Sequence, residues 1–283
     1  MILVADSGSS KTDWFLSNGS EVNIRLESIG LNPTFCTQEV IIKELNKTFV
    51  KNEQSTVSKI FFYGAGCRSV AEIARVQSAL DQVFPNSENH VDHDIKGSAI
   101  ATCGNKEGIA CILGTGSNVC LWDGQAIVPQ IPVFGMGYIL GDDGSGSHLG
   151  KTLLRKFLYN EMPLEIRADI DEMGINKTNI VENIYGKAGA NMYLASYSRF
   201  IQDRIAHPFM QDLVKECFHV FFKTHIVKYE NYQTLPVNFV GSVAFVFKEY
   251  LLSVAAEYGV HIETIIKKPI DNLMQYQLTF LDR

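Results

Sequence analysis

The sequence predicts an α/β protein built from two related domains. Short apolar strands alternate with amphipathic helices through the first half of the chain, which implies a mixed sheet covered by helices. A strand–turn–strand pattern at the start of the chain then returns near residue 109, an internal echo of the kind duplicated domains leave. Length agrees, since 283 residues are more than one hydrophobic core comfortably holds.

The first element is an apolar strand over 2–5, followed by a Gly/Ser turn, a second strand around 13–16 and a turn at Asn18-Gly19. Val40, Ile41, Leu45 and Phe49 recur at helical spacing and predict a helix over 39–50. A strand over 59–63 runs into Gly64-Ala65-Gly66. Ile73, Val76, Leu80, Val83 and Phe84 predict a helix over 70–84, and a strand near 90–92 leads to a helix from about 95 to 102. The pattern then restarts with a strand over 109–113, the turn Gly114-Thr115-Gly116-Ser117, a strand over 119–122 and the turn Asp123-Gly124. This repeats Leu3-Val4-Ala5-Asp6-Ser7-Gly8-Ser9-Ser10 with Trp14 and Asn18-Gly19, so each domain offers a backbone-lined turn to a shared cleft. The boundary is expected in the turn-rich Gly104-Asn105-Lys106-Glu107-Gly108, giving domains 1–105 and 106–267. A C-terminal helix over about 268–283 is expected to pack back on the first. The second half is mostly helical: Leu149, Leu153, Leu154, Phe157 and Leu158 mark a helix over 145–161, and others follow to about 229. A strand over 237–240 precedes a helix that Gly241-Ser242 opens and that ends near 258.

Hydrophobic residues make up 46% and charged residues 20%, which argues for a folded globular protein. With net charge −6 and no dense Lys/Arg stripe, nucleic acid is excluded as the main partner. The six cysteines show no metal-ligand spacing and read as buried reduced thiols. The apolar start is broken by Asp6 and lacks a basic leader, and the apolar stretch 239–256 carries Lys248 and Glu249, so neither a signal peptide nor a membrane span is expected. A soluble, cytoplasmic protein is the expectation.

Five segments carry chemistry. In Asp6-Ser7-Gly8-Ser9-Ser10-Lys11-Thr12, small residues let backbone N–H groups approach a phosphate, and Asp6 at a strand end can hold Mg²⁺ through water. Gly114-Thr115-Gly116-Ser117-Asn118 uses the same physics, and the pairing of two such turns turns each weak signal into half of a phosphate clamp. Asp92-His93-Asp94, ahead of a helix with Gly97-Ser98, puts a carboxylate where a hydroxyl proton could be accepted. The pattern does not choose between Asp92 and Asp94, and helix capping is the plain alternative for Asp94. Gly135-Met136-Gly137-Tyr138-Ile139-Leu140-Gly141-Asp142-Asp143-Gly144-Ser145 is a constrained glycine loop with two acids, one of which, Asp143, could simply cap the next helix. Gly241-Ser242, between a strand and a helix, can cradle the adenosine or its α-phosphate.

In this order the segments resemble the actin-like (ribonuclease-H-like) ATPase superfamily. Within it they look like the N-acetylglucosamine kinases and BadF/BadG-type ATPases. Asp6 to Thr12 matches D-G-G-G-T-K-T with serines at Ser7, Ser9 and Ser10; Gly114 to Asn118 matches G-T-G-S-N; Gly141 to Ser145 matches G-D-E-G-S; and Gly241-Ser242-Val243-Ala244 matches the adenosine segment. The resemblance implies two actin-like domains with an inter-domain ATP/sugar cleft, and Asp94 as catalytic base. It implies ATP contacts from Gly8, Ser9, Ser10, Lys11, Thr12, Gly114, Thr115, Gly116, Gly241 and Ser242. Sugar contacts are implied for Asn32, Ser117, Asn118 and Asp142, and the metal for Asp6. The implied activity is transfer of phosphate from MgATP to an amino sugar, N-acetylglucosamine at O6, by a homodimer. The alternatives are a BadF-type ATPase that activates a partner enzyme and a nucleotide-binding regulator without turnover. Pro269-Ile270-Asp271-Asn272-Leu273-Met274 departs from the Gly/Ala-rich helix that often ends the family.

Overall fold

The computed structural model describes residues 1–20, 23–129 and 135–279. The chain forms two compact units. One comprises Met1–Lys106, Trp122–Ile127 and Lys268–Arg283, the other Glu107–Leu121 and Val128–Lys267.

In the first unit the elements run β1 (Ile2–Ser7), β2 (Lys11–Ser17), β3 (Asn23–Ile29), α1 (Gln38–Thr48), α2 (Lys51–Thr56), β4 (Lys59–Gly64), α3 (Val70–Val83), β5 (Glu88–His93) and α4 (Asp94–Cys103). The sheet order is β3-β2-β1-β4-β5, with β1 antiparallel to β2 and parallel to β4, and β4 parallel to β5. Register sets Asp6, Tyr63 and Asp92 abreast, with Ser7, Gly64 and His93 one step further on. The carboxyl ends of three parallel strands therefore meet at one edge, the end of an α/β sheet at which ligands bind. Trp14 anchors the core, edge-on to Phe49 at 5.1 Å and tilted against Phe62 at 5.9 Å. The indole N–H donates to Ser28 Oγ (2.9 Å), so the buried ring leaves no polar atom unpaired. Helix α3 starts with a capping box between Ser69 and Glu72. The C-terminal helix Ile270–Leu278 belongs to this unit, with Asn272 Nδ2 donating to Ala101 O (2.8 Å) and Gln277 Nε2 to Tyr63 Oη (2.7 Å). Residues 280–283 of the expected helix lie outside the described residues.

The second half of the chain contains β6 (Gly108–Leu113), β7 (Ser117–Trp122), β8 (Ile127–Val128), α5 (Gly137–Leu140), α6 (Gly146–Leu158), α7 (Leu164–Glu172), α8 (Lys177–Val181), α9 (Ala190–Asp203), α10 (Pro208–Thr224), β9 (Val237–Val240), α11 (Ser242–Val246), α12 (Lys248–Glu257) and β10 (Ile262–Ile266). Its sheet reads β8-β7-β6-β9-β10, the order of the first sheet repeated position for position. The sequence echo is thus an echo of topology. Ile112, Val240 and Ile266 stand in register, so the turn after β6 and Gly241 after β9 lie at one sheet edge. The core is rich in large apolar side chains, with Phe218, Phe221, Phe222 and Phe239 all fully buried.

The structure departs from the sequence reading in places. The single helix expected from Gly241 to about 258 is two, α11 and α12, broken at the buried Phe247. Strands β3, β8 and β10 and helix α2 were not foreseen. Strand β5 ends at His93, so the alternation that would put Asp92 and Asp94 on one face does not reach Asp94, which opens α4.

The core account predicts that Phe62→Ala, which empties a site with no exposure, lowers unfolding free energy by about 3–5 kcal/mol. Urea denaturation checks it, and a loss below 1 kcal/mol would contradict it.

Candidate active site

At the carboxyl edge of the first sheet, Asp6 ends its inward run beside two other acids. Burial, then Asp94, then Asp13 raise its pKa to about 7, against the opposing pull of Lys11 and Lys268. The turn that follows is closed by Gly8 N–H donating to Lys11 O (2.9 Å). Ser7 stands where the family pattern has glycine, and its hydroxyl is used: Leu31 N–H donates to Ser7 Oγ (3.1 Å), Ser7 Oγ meets Thr12 Oγ1 (2.8 Å), and Thr12 donates to Ile29 O (3.0 Å). The proton order follows, with Ser7 donating to Thr12. Thr12 is buried in this chain of bonds, and Lys11 donates to Glu27 (2.9 Å) from β2. Gly30 lies flat on the turn, because a Cβ there would stand 2.5 Å from Gly8 O and 2.6 Å from the Ser9 backbone. Beyond it, buried Asn32 accepts from Thr34 N–H through Oδ1 (2.9 Å), which leaves its amide N–H₂ as the donor end. Gly66 makes room for that oxygen, and Arg75 donates to the Pro33 carbonyl.

Asp94 and Asp92 have different surroundings. Asp92 accepts from His93 N–H (2.8 Å) and pairs with Lys96. The cap of α4 is His93, whose Nδ1 accepts from Ile95 N–H (3.4 Å), so Asp94 is not the cap. Asp94 Oδ1 lies 2.5 Å from that same nitrogen without hydrogen-bonding geometry, and it is buried without a donor among the described residues.

In the second unit, Gly114 N–H donates to Gly116 O (3.0 Å), and the first amides of α6 brace the turn: Gly146 N–H to Gly114 O (2.8 Å) and Ser147 N–H to Thr115 O (3.0 Å). Gly241, at φ +127°, touches the turn's base, since a Cβ would meet Leu113 O at 2.3 Å. Ser117 N–H donates to Asp142 Oδ1 (3.0 Å), and Asp142 adopts φ +56°, unusual for a side chain with a Cβ. Asn118 turns its Oδ1 to Val119 N–H (2.9 Å). Ser145, not Asp143, caps α6. Asp143 pairs with His225 Nε2 (3.1 Å), and that bond holds its carboxyl below the usual range. Ser117 Oγ, like Asp94 Oδ1, is buried with no partner among the described residues. Two expected site residues thus carry a buried polar atom with no hydrogen-bond partner among the described residues.

The structure brings Asp6, Gly8, Ser9, Ser10, Lys11, Thr12, Asn32 and Asp94 to one unit and Gly114, Thr115, Gly116, Ser117, Asn118, Asp142, Gly241 and Ser242 to the other. Sequence reasoning missed Gly30, His225 and Lys268, whose ammonium pairs with Asp13 (2.7 Å), because each acts through a partner remote in the chain.

Comparison with solved structures identifies a relative. A candidate N-acetylglucosamine kinase from Porphyromonas gingivalis superposes with a TM-score of 0.92 at 36% identity, over 99% of this chain and 100% of that one. The chain belongs to the N-acetylglucosamine kinase family. A second candidate N-acetylglucosamine kinase, from Chromobacterium violaceum, shares the fold at TM-score 0.72 and 16% identity over 97% and 98% of the two chains. A glucokinase of the ROK family from Streptomyces griseus, solved with glucose and AMPPNP, shares it at TM-score 0.57 and 10% identity over 97% of each chain. The fold is that of the actin-like ATPases. No protein-family model matches the chain, and no curated protein matches it significantly.

Gly30→Ala should displace the first turn and weaken MgATP binding by about tenfold or more, the factor for losing roughly 1.4 kcal/mol, with the fold intact. Calorimetry checks it, and unchanged binding would remove the turn from the nucleotide site. A second prediction concerns pH. Gly144 N–H donates to His148 Nδ1 (2.9 Å), which requires that nitrogen unprotonated, and burial pushes the ring's pKa down, with Asp143 opposing. The bond therefore adds stability above the unfolded value of about 6.5 and is lost as pH falls through the lower folded value. NMR titration of His148 should give a midpoint below 6.5, and a midpoint above it would contradict the assignment.

Proposed function

We propose that the protein transfers the γ-phosphoryl group of ATP to an amino sugar, N-acetylglucosamine at O6. The observation that carries this reading is Asp94 Oδ1 at the sheet edge, buried without a hydrogen-bond donor among the described residues, beside an Asp92 whose charge Lys96 already meets. Family membership with the Porphyromonas gingivalis protein supports the substrate class. In this reading Asp94 Oδ1 accepts the proton of the sugar hydroxyl as that oxygen bonds to the γ-phosphorus, and the bond to the bridging oxygen breaks to release ADP. Each glycine turn, taken by itself, offers backbone N–H groups of the kind that bind phosphate. In the first unit Asn32 offers its N–H₂ to a sugar oxygen, and in the second Ser117, Asn118 and Asp142 are the sugar-contacting residues of this reading.

Magnesium fits the residues present. Asp6 is an oxygen donor in an acidic, partly buried setting, and the charge that burial disfavours there is one a cation would stabilise. Among the described residues no cluster of three or more His, Cys, Asp or Glu side chains forms a metal cage. An ion that keeps its waters and rests on one carboxylate and the phosphates needs none. When bound, it would neutralise charge on the phosphates. No described helix is long and apolar enough to cross a membrane. A cytoplasmic homodimer completes the proposal, on the family resemblance.

Incubating the purified protein with MgATP and N-acetylglucosamine, glucosamine or glucose tests the function. ADP should form only with sugar, and ³¹P NMR should show a 6-phosphomonoester; equal ADP release without sugar would favour an ATPase. Asp94→Asn should lower kcat by about 10²–10⁴-fold with MgATP binding retained, and Asp92→Asn by far less. A folded Asp94→Asn enzyme of near-normal rate would refute the base assignment.

A further inference from the structure

Asp142 combines an unusual backbone with a fixed side chain. Its backbone is left-handed, and its carboxylate is held against the Gly116-Ser117 peptide, 3.0 Å from Ser117 N. A residue with a Cβ stays in that conformation only where its surroundings over-determine it. The next residue shows what does so. Asp143 turns away from the glycine turn and accepts from His225 Nε2 at 3.1 Å, with only 9% of the histidine side chain and 20% of the aspartate exposed.

His225 is itself fixed by packing. It caps the C-terminus of α10, its N–H donating to Phe221 O (2.9 Å), and its ring lies 5.1 Å from that of Phe221. Phe221 also supports the loop directly: at Gly144, φ +72°, a Cβ would come within 2.8 Å of Phe221 Cβ. The end of α10 is therefore a template on which residues 142–144 fold, one of them by apolar contact and one by a charged hydrogen bond.

We propose that His225 is a positioning residue of the sugar site: by anchoring Asp143 it holds the left-handed turn that presents Asp142 to the Gly116-Ser117 peptide. This rests on the reading of Asp142 as a sugar contact. Without the imidazole, Asp143 is a partly buried carboxylate with no donor in its place and turns toward water. The peptide between the two acids follows, and Asp142 leaves Ser117. The nucleotide turn keeps its brace from α6, so the loss falls on sugar binding.

The test compares two variants with similar side-chain volume. His225→Phe removes the donor beside Phe221, and His225→Gln restores an N–H close to the position of Nε2. His225→Phe should raise KM for N-acetylglucosamine about tenfold, the factor for one lost hydrogen bond, with kcat and the Kd for MgATP nearly unchanged. His225→Gln should recover most of that loss. Asp143→Ala should show the same split, and it decides the matter should His225→Phe not fold. An unchanged sugar KM in folded His225→Phe and Asp143→Ala, or equal loss for sugar and MgATP, overturns the proposal. Hydrogen exchange at Ser117 N–H, measured without ligand, separates this idea from the functional reading. Exchange about tenfold faster in His225→Phe supports the positioning role even if the wild-type protein phosphorylates no sugar. Unchanged protection overturns it whatever the activity.

Discussion

The carboxylate of Asp6 is the constraint around which the candidate site is built. Parallel pairing of β1, β4 and β5 places the ends of three strands together, and two of those strand ends lead to acids. Asp6 is therefore partly buried near Asp94 and across the hairpin from Asp13, an arrangement that disfavours its charge. Lys268 and Lys11 answer Asp13 at 2.7 and 3.5 Å, and Lys96 answers Asp92. Among the described residues neither Asp6 nor Asp94 forms an ion pair with a lysine or arginine, though Lys11 and Lys268 act on Asp6 from a distance. A carboxylate whose charge is disfavoured at the ligand-binding end of the sheet is consistent with the proposal that Asp6 meets a cation arriving with the nucleotide.

The hairpin next to Asp6 shows how local chemistry supports that arrangement. A glycine at position 7 could not accept from Leu31 N–H, and this chain has Ser7, whose hydroxyl links β1 to β2 and to the segment before Asn32. Gly30 is needed for the opposite reason, since only the absence of a Cβ lets two backbone segments lie in contact. The second unit solves the corresponding problem with helix amides: α6 gives its first N–H groups to the carbonyls of the Gly114 turn.

Much of this was legible because it is local. Strand, glycine turn and strand follow one another at short range, so the echo between Leu3–Ser10 and Ile109–Ser117 could be read as duplication, and the shared strand order bears out the repeat. Short or half-exposed strands were harder. β3 buries only Ser28 fully, among alternating exposed and partly buried residues, and β10 carries little of the core. Phe247 ends the apolar run 243–247 and is followed by Lys248 and Glu249, with no Pro or Gly at that point to signal that the helix stops. The choice between Asp92 and Asp94 depended on where β5 ends and on which acid Lys96 reaches, neither of which spacing reveals. His225 lies 82 residues from Asp143, and Lys268 lies 255 from Asp13, so only the folded chain shows these pairs.

Asp6 is the proposed seat of the cation that accompanies the nucleotide. Titration of ¹³C-labelled aspartate carboxyls by NMR, with Asp6→Asn to assign the signal, tests this directly. In metal-free protein the Asp6 carboxyl should titrate near its raised pKa of about 7. Mg²⁺ with a non-hydrolysable ATP analogue should bring that midpoint down by at least about two units, because the bound cation favours the ionised form. An ordinary midpoint near 3.8 without metal, or a raised one that Mg²⁺ and nucleotide leave unmoved, would contradict the account.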